Sequence, residues 1–388
     1  MRRAVVLSVL SFAMLGAGVA RKPLPDLPAD LKQELIGYLK AHWQSPEDYI
    51  IGKFKDHEIV FVGEHHRIKH DAQLIGDLIP RLYAAGVHNL GIEFGCHEYQ
   101  DTVDHLLNAP IYDEALARWL IFKMAPYWGF VEYEDLYRKA WELNRSLPSE
   151  ARKFRVVNLD YRIRWDLAKE NMTPADSHQV FFMGDRDTGM ARIVLEEFVR
   201  KGQEALIYSG SHHAFTRYRQ PRPLDPKTGE FSGFRGPRMG NIVRDSIPDR
   251  VFCVMLHQPW MQKADLNAMA YPVGGVIDVV MRAFTDKRVG FDILGSPFGR
   301  LTDTSAYYTL GYEPFRLDAY CDGYVFQKPF SEYEGCGVDT LFVTDVNFKE
   351  AVDFIPNVAA RKYLSKPVDF VRSARDDTNF KRRFEEFQ

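Results

Sequence analysis

The chain is 388 residues long, 46% hydrophobic and 13% aromatic, with a formal net charge of −3. That length and apolar content suffice to bury a large core, and the near-neutral charge counts against nucleic acid or a strongly anionic surface as the main partner. Four cysteines are too few for a disulfide scaffold.

Met1-Arg2-Arg3 caps an almost uncharged run, Ala4 to Val19, that closes on Gly18-Val19-Ala20. Positive cap, apolar stretch and small residues are the parts of a secretory signal over residues 1–20, so a periplasmic or secreted protein is expected. An uncleaved amino-terminal anchor is the alternative, and membrane contact is expected only in that case. The rest, 21–388, is expected as a single large domain. A Pro-rich stretch leads into a helix over Asp30 to Trp43, with Leu31, Leu35, Tyr38 and Leu39 on one face.

Ile59 to Val62 reads as a buried strand, followed at once by Gly63-Glu64-His65-His66 and then by an amphipathic helix from about Ile68 to Gly86. Pro80 inside that helix predicts a kink. Strand, glycine turn, polar cluster and helix in this order are how an α/β fold presents chemistry at a sheet edge. The same order returns at Glu204 to Ser209, with Gly210-Ser211-His212-His213 behind it. Two such turns argue for one site fed by both.

Between them, His88 to Gly95 is a second strand carrying Glu93 on the parity opposite to Leu90, Ile92 and Phe94, so Glu93 is expected at the site. A helical insertion at about 98–145 follows, with Trp119, Phe122, Tyr127, Trp128 and Phe130 suited to a lid or wall. Phe154 to Asp160 is a third strand, and Asp160 either faces the site or joins a surface ion pair. A helix is predicted from Thr173 to Lys201, opened by a capping-box-like Thr-Pro-Ala-Asp. Arg186 interrupts its apolar face, and a buried guanidinium needs a carboxylate partner, for which the site carboxylates are the natural choice.

Arg217 to Gly240 is a long loop dense in Arg, Pro and Gly, which either covers a functional site, its basic side chains receiving an anionic substrate group, or forms a solvated surface. Arg250 to Leu256 is a strand ending in His257, open equally to a structural role and to substrate contact. Cys253 within it reads as a buried thiol. Cys321 and Cys336, by spacing and compartment, are the plausible disulfide pair. Leu341 to Thr344 looks strand-like, and a charged helical tail begins at Phe370. No phosphate loop, metal-cysteine cluster or Gly-x-Ser-x-Gly elbow is present, which sets aside nucleotide enzymes and ordinary serine hydrolases.

The two Gly-x-x-His turns, Glu64 in the first, Glu93 at the next strand end, and Arg186-Asp187-Thr188-Gly189-Met190-Ala191 together resemble the superfamily that joins erythromycin-esterase-like proteins, ChaN-like haem-binding lipoproteins and the Tiki/TraB proteases. The Arg-Asp-x-x-Met-Ala run is most similar to the ChaN-like branch. The resemblance implies an α/β fold with a mainly parallel central sheet flanked by helices, and a hydrolase acting on an ester, lactone or amide of a small-molecule or peptide substrate. It implies His66 as general base, Glu64 and Glu93 orienting it and a water, His213 polarising the substrate, and Arg186 on the carboxylates. His65, His212, Asp160, Asp187 and His257 are expected around the substrate. By likeness to metal-binding members, His66, His213, Glu64 and Glu93 are also candidates for a divalent metal, zinc or manganese. The alternative is a haem- or iron-binding protein without turnover. The chain departs from the ChaN-like pattern at Arg67-Ile68, in its doubled histidines and in lacking a lipid-attachment cysteine.

Overall fold

The computed structural model describes residues 21–387, so the expected signal at 1–20 lies outside the described residues. Among them, no helix is long and apolar enough to cross a membrane. The first helix, α1, spans Ala29–His42 and buries Leu35 and Leu39; a short α2, Pro46–Gly52, starts with proline at its first turn and a Ser45 cap.

The expected strands form as β1 (Ile59–Glu64), β2 (Asn89–Cys96), β3 (Arg155–Asp160), β4 (Ala205–Gly210) and β5 (Val251–Leu256), all mutually parallel where they pair. β6 (Trp260–Met261) and β7 (Met269–Ala270) make a separate antiparallel ribbon. β8 (Val289–Asp292) runs antiparallel to β9 (Gly323–Phe326), which is parallel to β5. The main sheet has the order β3-β2-β4-β1-β5-β9-β8, a mainly parallel α/β architecture with helices on both faces.

Side-chain alternation along the strands divides the core in two. Ile59, Phe61, Ile207, Cys253 and Met255 point to one face, and Val60, Val62, Leu206, Tyr208 and Val254 to the other. The second face is covered by α3 (Lys69–Ala84) and by the helical insertion, which resolves into α4 (Gln100–Asn108), α5 (Glu114–Met124) and α6 (Val131–Ser146). Gly86 takes φ +90° just past α3, as a left-handed stop requires.

Three expectations are corrected. The single helix over Thr173 to Lys201 is two, α7 (Pro174–Val180) and α8 (Arg186–Glu197), separated at Gly184 with φ +84°. Each has its own cap, Thr173 in a full capping box and Asp185 accepting from the Thr188 N–H, so Phe182 lies between the helices and is exposed. Leu341 to Thr344 is a turn, drawn together by Asn347, whose side chain accepts from the Thr344 N–H and donates to the Phe342 carbonyl. Cys321 and Cys336 are free thiols because they belong to the two separate cores, with the end of the sheet between them.

Candidate active site

Strand order decides the site. β4 lies between β2 and β1, with Glu64 in register with Gly210 and Gly63 with Ser209. Both Gly-x-x-His turns therefore leave neighbouring strands at one carboxyl edge, and Glu93 lies on the strand on the other side of β4, one residue past the last position paired with it, Ile92. A Cβ at Gly63 would come within 2.7 Å of Met255 Sδ, and one at Gly210 within 2.6 Å of His66 Cε1. Glycine at these two positions is what lets the turns approach each other.

Glu64 is buried on the α3/α6 face and acts as an acceptor on every side. His66 Nδ1 is 2.8 Å from its Oε1, Tyr133 donates to the same oxygen at 2.7 Å, and Tyr208 donates to Oε2. The Tyr133 hydroxyl in turn accepts the Arg67 N–H at 2.7 Å. Arg67 stands at φ +73°, an unusual conformation for a residue with a side chain, and that turn aims the preceding imidazole. With Nδ1–H donated to Glu64, His66 presents the lone pair of Nε2, which has no partner among the described residues. The ring stands edge-on to Trp128, 4.9 Å between centroids, so the helical insertion supplies a wall.

Glu93 is buried on the opposite face of the sheet, where it accepts the Gly210 N–H at 2.8 Å and lies 3.3 Å from both Arg186 Nη2 and His213 Nε2. Burial alone would raise its pKa; the nearby His213, His66 and Arg186 and the Gly210 N–H outweigh it and pull the group down to about 2. Arg186, the first residue of α8, also donates through Nε to Asp160 at 2.9 Å, so the buried arginine finds its carboxylates as expected. Asp160 is therefore a partner of Arg186 beneath the site.

His213 lies between two carboxylates, with Nδ1 2.6 Å from Asp187 and Nε2 toward Glu93. Burial opposes its charged form, but Glu93 and Asp187 prevail and its pKa is raised. Asp187 is further held by Arg238 Nη1 and the Met239 N–H, each at 2.8 Å, the latter at the start of α9 (Met239–Ser246). His213 is thus clamped between two carboxylates that favour its charged form, with neither nitrogen turned to substrate, in contrast to the polarising role that the resemblance implies. The basic loop contributes Arg238 to this clamp.

His65, His66, His212 and His213 border one cleft of ≈ 200 Å³ with Glu64, Gly210, Gln258, Met261, Met269 and Tyr308. His212 donates or accepts at Tyr308 Oη, 2.9 Å away, and faces the Gln220 amide at Nδ1. Its pKa is lowered to about 3 by burial and then by Arg238. His65 stands edge-on to Phe380 and Phe384 and is likewise lowered to about 3, by burial and then Arg383. His257 is not in the cleft lining. It is stacked on Phe330 at 4.4 Å, with Nδ1 on Tyr324 and Nε2 3.2 Å from Asp278, a structural position.

The site residues missed in sequence are Tyr133, Tyr208, Arg238 and Gln258. Tyr208 stands two residues before Gly210, where its parity could have been read. Tyr133, in the helical insertion, carries no local signal at all.

The donor set does not fit a divalent metal. Among the described residues no group of three or more His, Cys, Asp or Glu side chains is placed to hold one. Glu64 is taken by two tyrosines and His66, Glu93 by a backbone N–H, Arg186 and His213, and both His213 nitrogens face carboxylates. Of the two histidines expected as ligands only His66 has a ring nitrogen without a partner among the described residues, since both nitrogens of His213 face carboxylates. A porphyrin is also a poor fit, since the cleft is smaller than the roughly 300–1,000 Å³ of pockets that enclose drug-sized ligands.

Neither a family model nor a curated protein matches the chain. Solved structures do. A succinoglycan biosynthesis protein aligns at 9% identity over 77% of this chain and 97% of its own, with a TM-score of 0.49. The erythromycin esterase EreC, a mutant in its open conformation, aligns at 14% identity over 72% and 91%, TM-score 0.46. ChaN of Campylobacter jejuni, described with cofacial haem, aligns at 13% identity over 57% and 90%, TM-score 0.36. The neighbours thus include both kinds of protein that the motifs resemble, and at these identities the likeness is one of chain course and not of chemistry.

Proposed function

We propose that the chain is a hydrolase of an ester, lactone or amide in which His66 is the general base. The observation that carries this is the Glu64–His66 pair, 2.8 Å apart, with Nδ1 engaged and Nε2 open on the cleft. Water at Nε2 loses a proton to it as the water oxygen bonds to the substrate carbonyl carbon, and the carbonyl electron pair moves to oxygen. Collapse of that intermediate breaks the bond to the leaving group, which takes the proton back from His66. Glu64 keeps the tautomer and stabilises the imidazolium while it exists, as the buried carboxylate does in other such pairs. Glu93, held as an anion by its donors, adds a second fixed negative charge close to His66. Arg186 and His213 position Glu93; the geometry supports no contact of theirs with the reacting atoms. With the signal expected at 1–20, the substrate is met outside the cytoplasm.

A panel of aryl esters, lactones and anilides assayed with wild type and His66→Ala tests this. The expected loss is about 100- to 10,000-fold in kcat, the usual contribution of a positioned base. Equal rates for the two proteins on every substrate would remove the reading.

A further inference from the structure

Two residues beyond the end of β5, Gln258 borders the same cleft, yet its side-chain amide is not satisfied: Nε2 is buried without an acceptor among the described residues. The residue is only 4% exposed, so the amide is not simply hydrated at a surface. A buried polar group left unpaired costs stability, and one facing a cleft is a place that a ligand's polar atom would complete. Rotation about its last bond presents either end of the amide. β5 is the sheet neighbour of β1, which sets Gln258 at the same carboxyl edge as Glu64 and the first histidine turn.

The surroundings say what that ligand is. Pro259, Met261, Met269 and Tyr308 make the adjoining wall, the two methionines from the β6–β7 ribbon. Unbranched thioethers adapt to apolar chains of different shape. The two imidazoles on this side, His65 and His212, are lowered to about 3 by burial first and so bring no positive charge. Nothing on that wall would attract an anion.

We propose that this part of the cleft is an acyl subsite for an uncharged, apolar carbonyl compound, with the Gln258 amide donating to the carbonyl oxygen and the methionine ribbon covering the acyl chain. The turnover arm rests on the hydrolase reading; the binding arm does not.

The test uses full-length protein, 4-nitrophenyl hexanoate as the neutral substrate and mono-4-nitrophenyl succinate as the anionic one. Wild type should prefer the hexanoate by at least about 10-fold in kcat/KM, the discrimination a buried apolar pocket reaches. Gln258→Glu, of the same shape but an acceptor, should lower hexanoate turnover by about 100-fold, as loss of one carbonyl donor does elsewhere. Gln258→Leu and Met261→Glu provide second variants should the first fold poorly. In parallel, hexananilide binding to His66→Ala protein is followed by ligand-observed NMR, and adding Gln258→Glu should weaken it about 10-fold or more. If His66→Ala and wild type turn over esters alike while anilide binding still depends on Gln258, the hydrolase reading falls and the subsite stands. If Gln258 variants leave both turnover and anilide binding within twofold, or the succinate is used as well as the hexanoate, the subsite is overturned and the amide is merely hydrated.

Discussion

His213 and Glu93 are the residues whose charge the fold alters most usefully. The raised pKa of His213 means that it holds its proton more tightly folded than unfolded. Its contribution to stability is therefore complete below its ordinary value of 6.5 and is lost as pH rises through the higher folded value. Glu93 runs the other way: its contribution is present above 4.5 and is lost as pH falls toward about 2. Between those limits the clamp is whole. Thermal melts from pH 5 to 9 should show wild type losing stability on the alkaline side. His213→Gln, lower at pH 6, should lose this slope; a slope unchanged in the variant would show that His213 is not a clamped cation. The same residue illustrates how roles divide at this site. Of the four cleft histidines only His66 combines a ring nitrogen on a carboxylate, Glu64, with a second nitrogen that has no partner among the described residues. His65 is engaged at Nδ1 by a backbone carbonyl, and His213 faces a carboxylate at both nitrogens.

At the scale of elements, the pair β1–β4 does most of the work. Each strand ends in a glycine turn carrying two histidines, and parallel register puts Glu64 beside Gly210, so each turn constrains the other. An added methyl at Gly210 would meet the His66 ring at Cε1 and Nε2, 2.6 and 2.8 Å away, and Glu93 at 3.4 Å. Gly210→Ala is expected to push His66 off Glu64, lowering kcat by about 100-fold, since a displacement near 1 Å can cost that much. The accompanying stability loss should be about 1–3 kcal/mol, the usual cost of overpacking. Melts and kinetics on one preparation separate the two effects, and a variant with wild-type kcat would mean that the turns are not mutually packed. The helical insertion acts on the same dyad from above, through Tyr133 on Glu64 and Trp128 on the His66 ring.

Across the whole molecule, the sheet separates two cores, and three of the four cysteines are divided between them, Cys253 and Cys321 on one side and Cys336 on the other, while Cys96 is buried at the end of β2. Burial first raises the pKa of all four thiols well above the ordinary value, which removes the reactive thiolate. A thiol reagent at pH 8 should find about none in the folded protein and all four of the cysteines in 6 M guanidinium; two under denaturing, non-reducing conditions would restore the disulfide. The carboxy-terminal segment closes the first histidine turn from outside, with Phe380, Phe384 and Phe387 packed on Ile68, Tyr271 and Tyr333. What sequence alone determined here is what short-range periodicity carries: the five strands, the glycine at each turn, Glu93 on the parity opposite to its apolar neighbours, and the need of Arg186 for a carboxylate partner. Those features depend on backbone geometry over a few residues, which the chain states locally. What only the tertiary structure decided depends on which strands are neighbours. Insertion of β4 between β2 and β1 set His213 between Glu93 and Asp187, pairing of β5 with β9 set His257 in an aromatic stack, and packing of the segments around the sheet brought Tyr133, Arg238 and Gln258 to the site from far away in sequence. Pairing across such distances is set by how whole faces pack, and no local pattern records it.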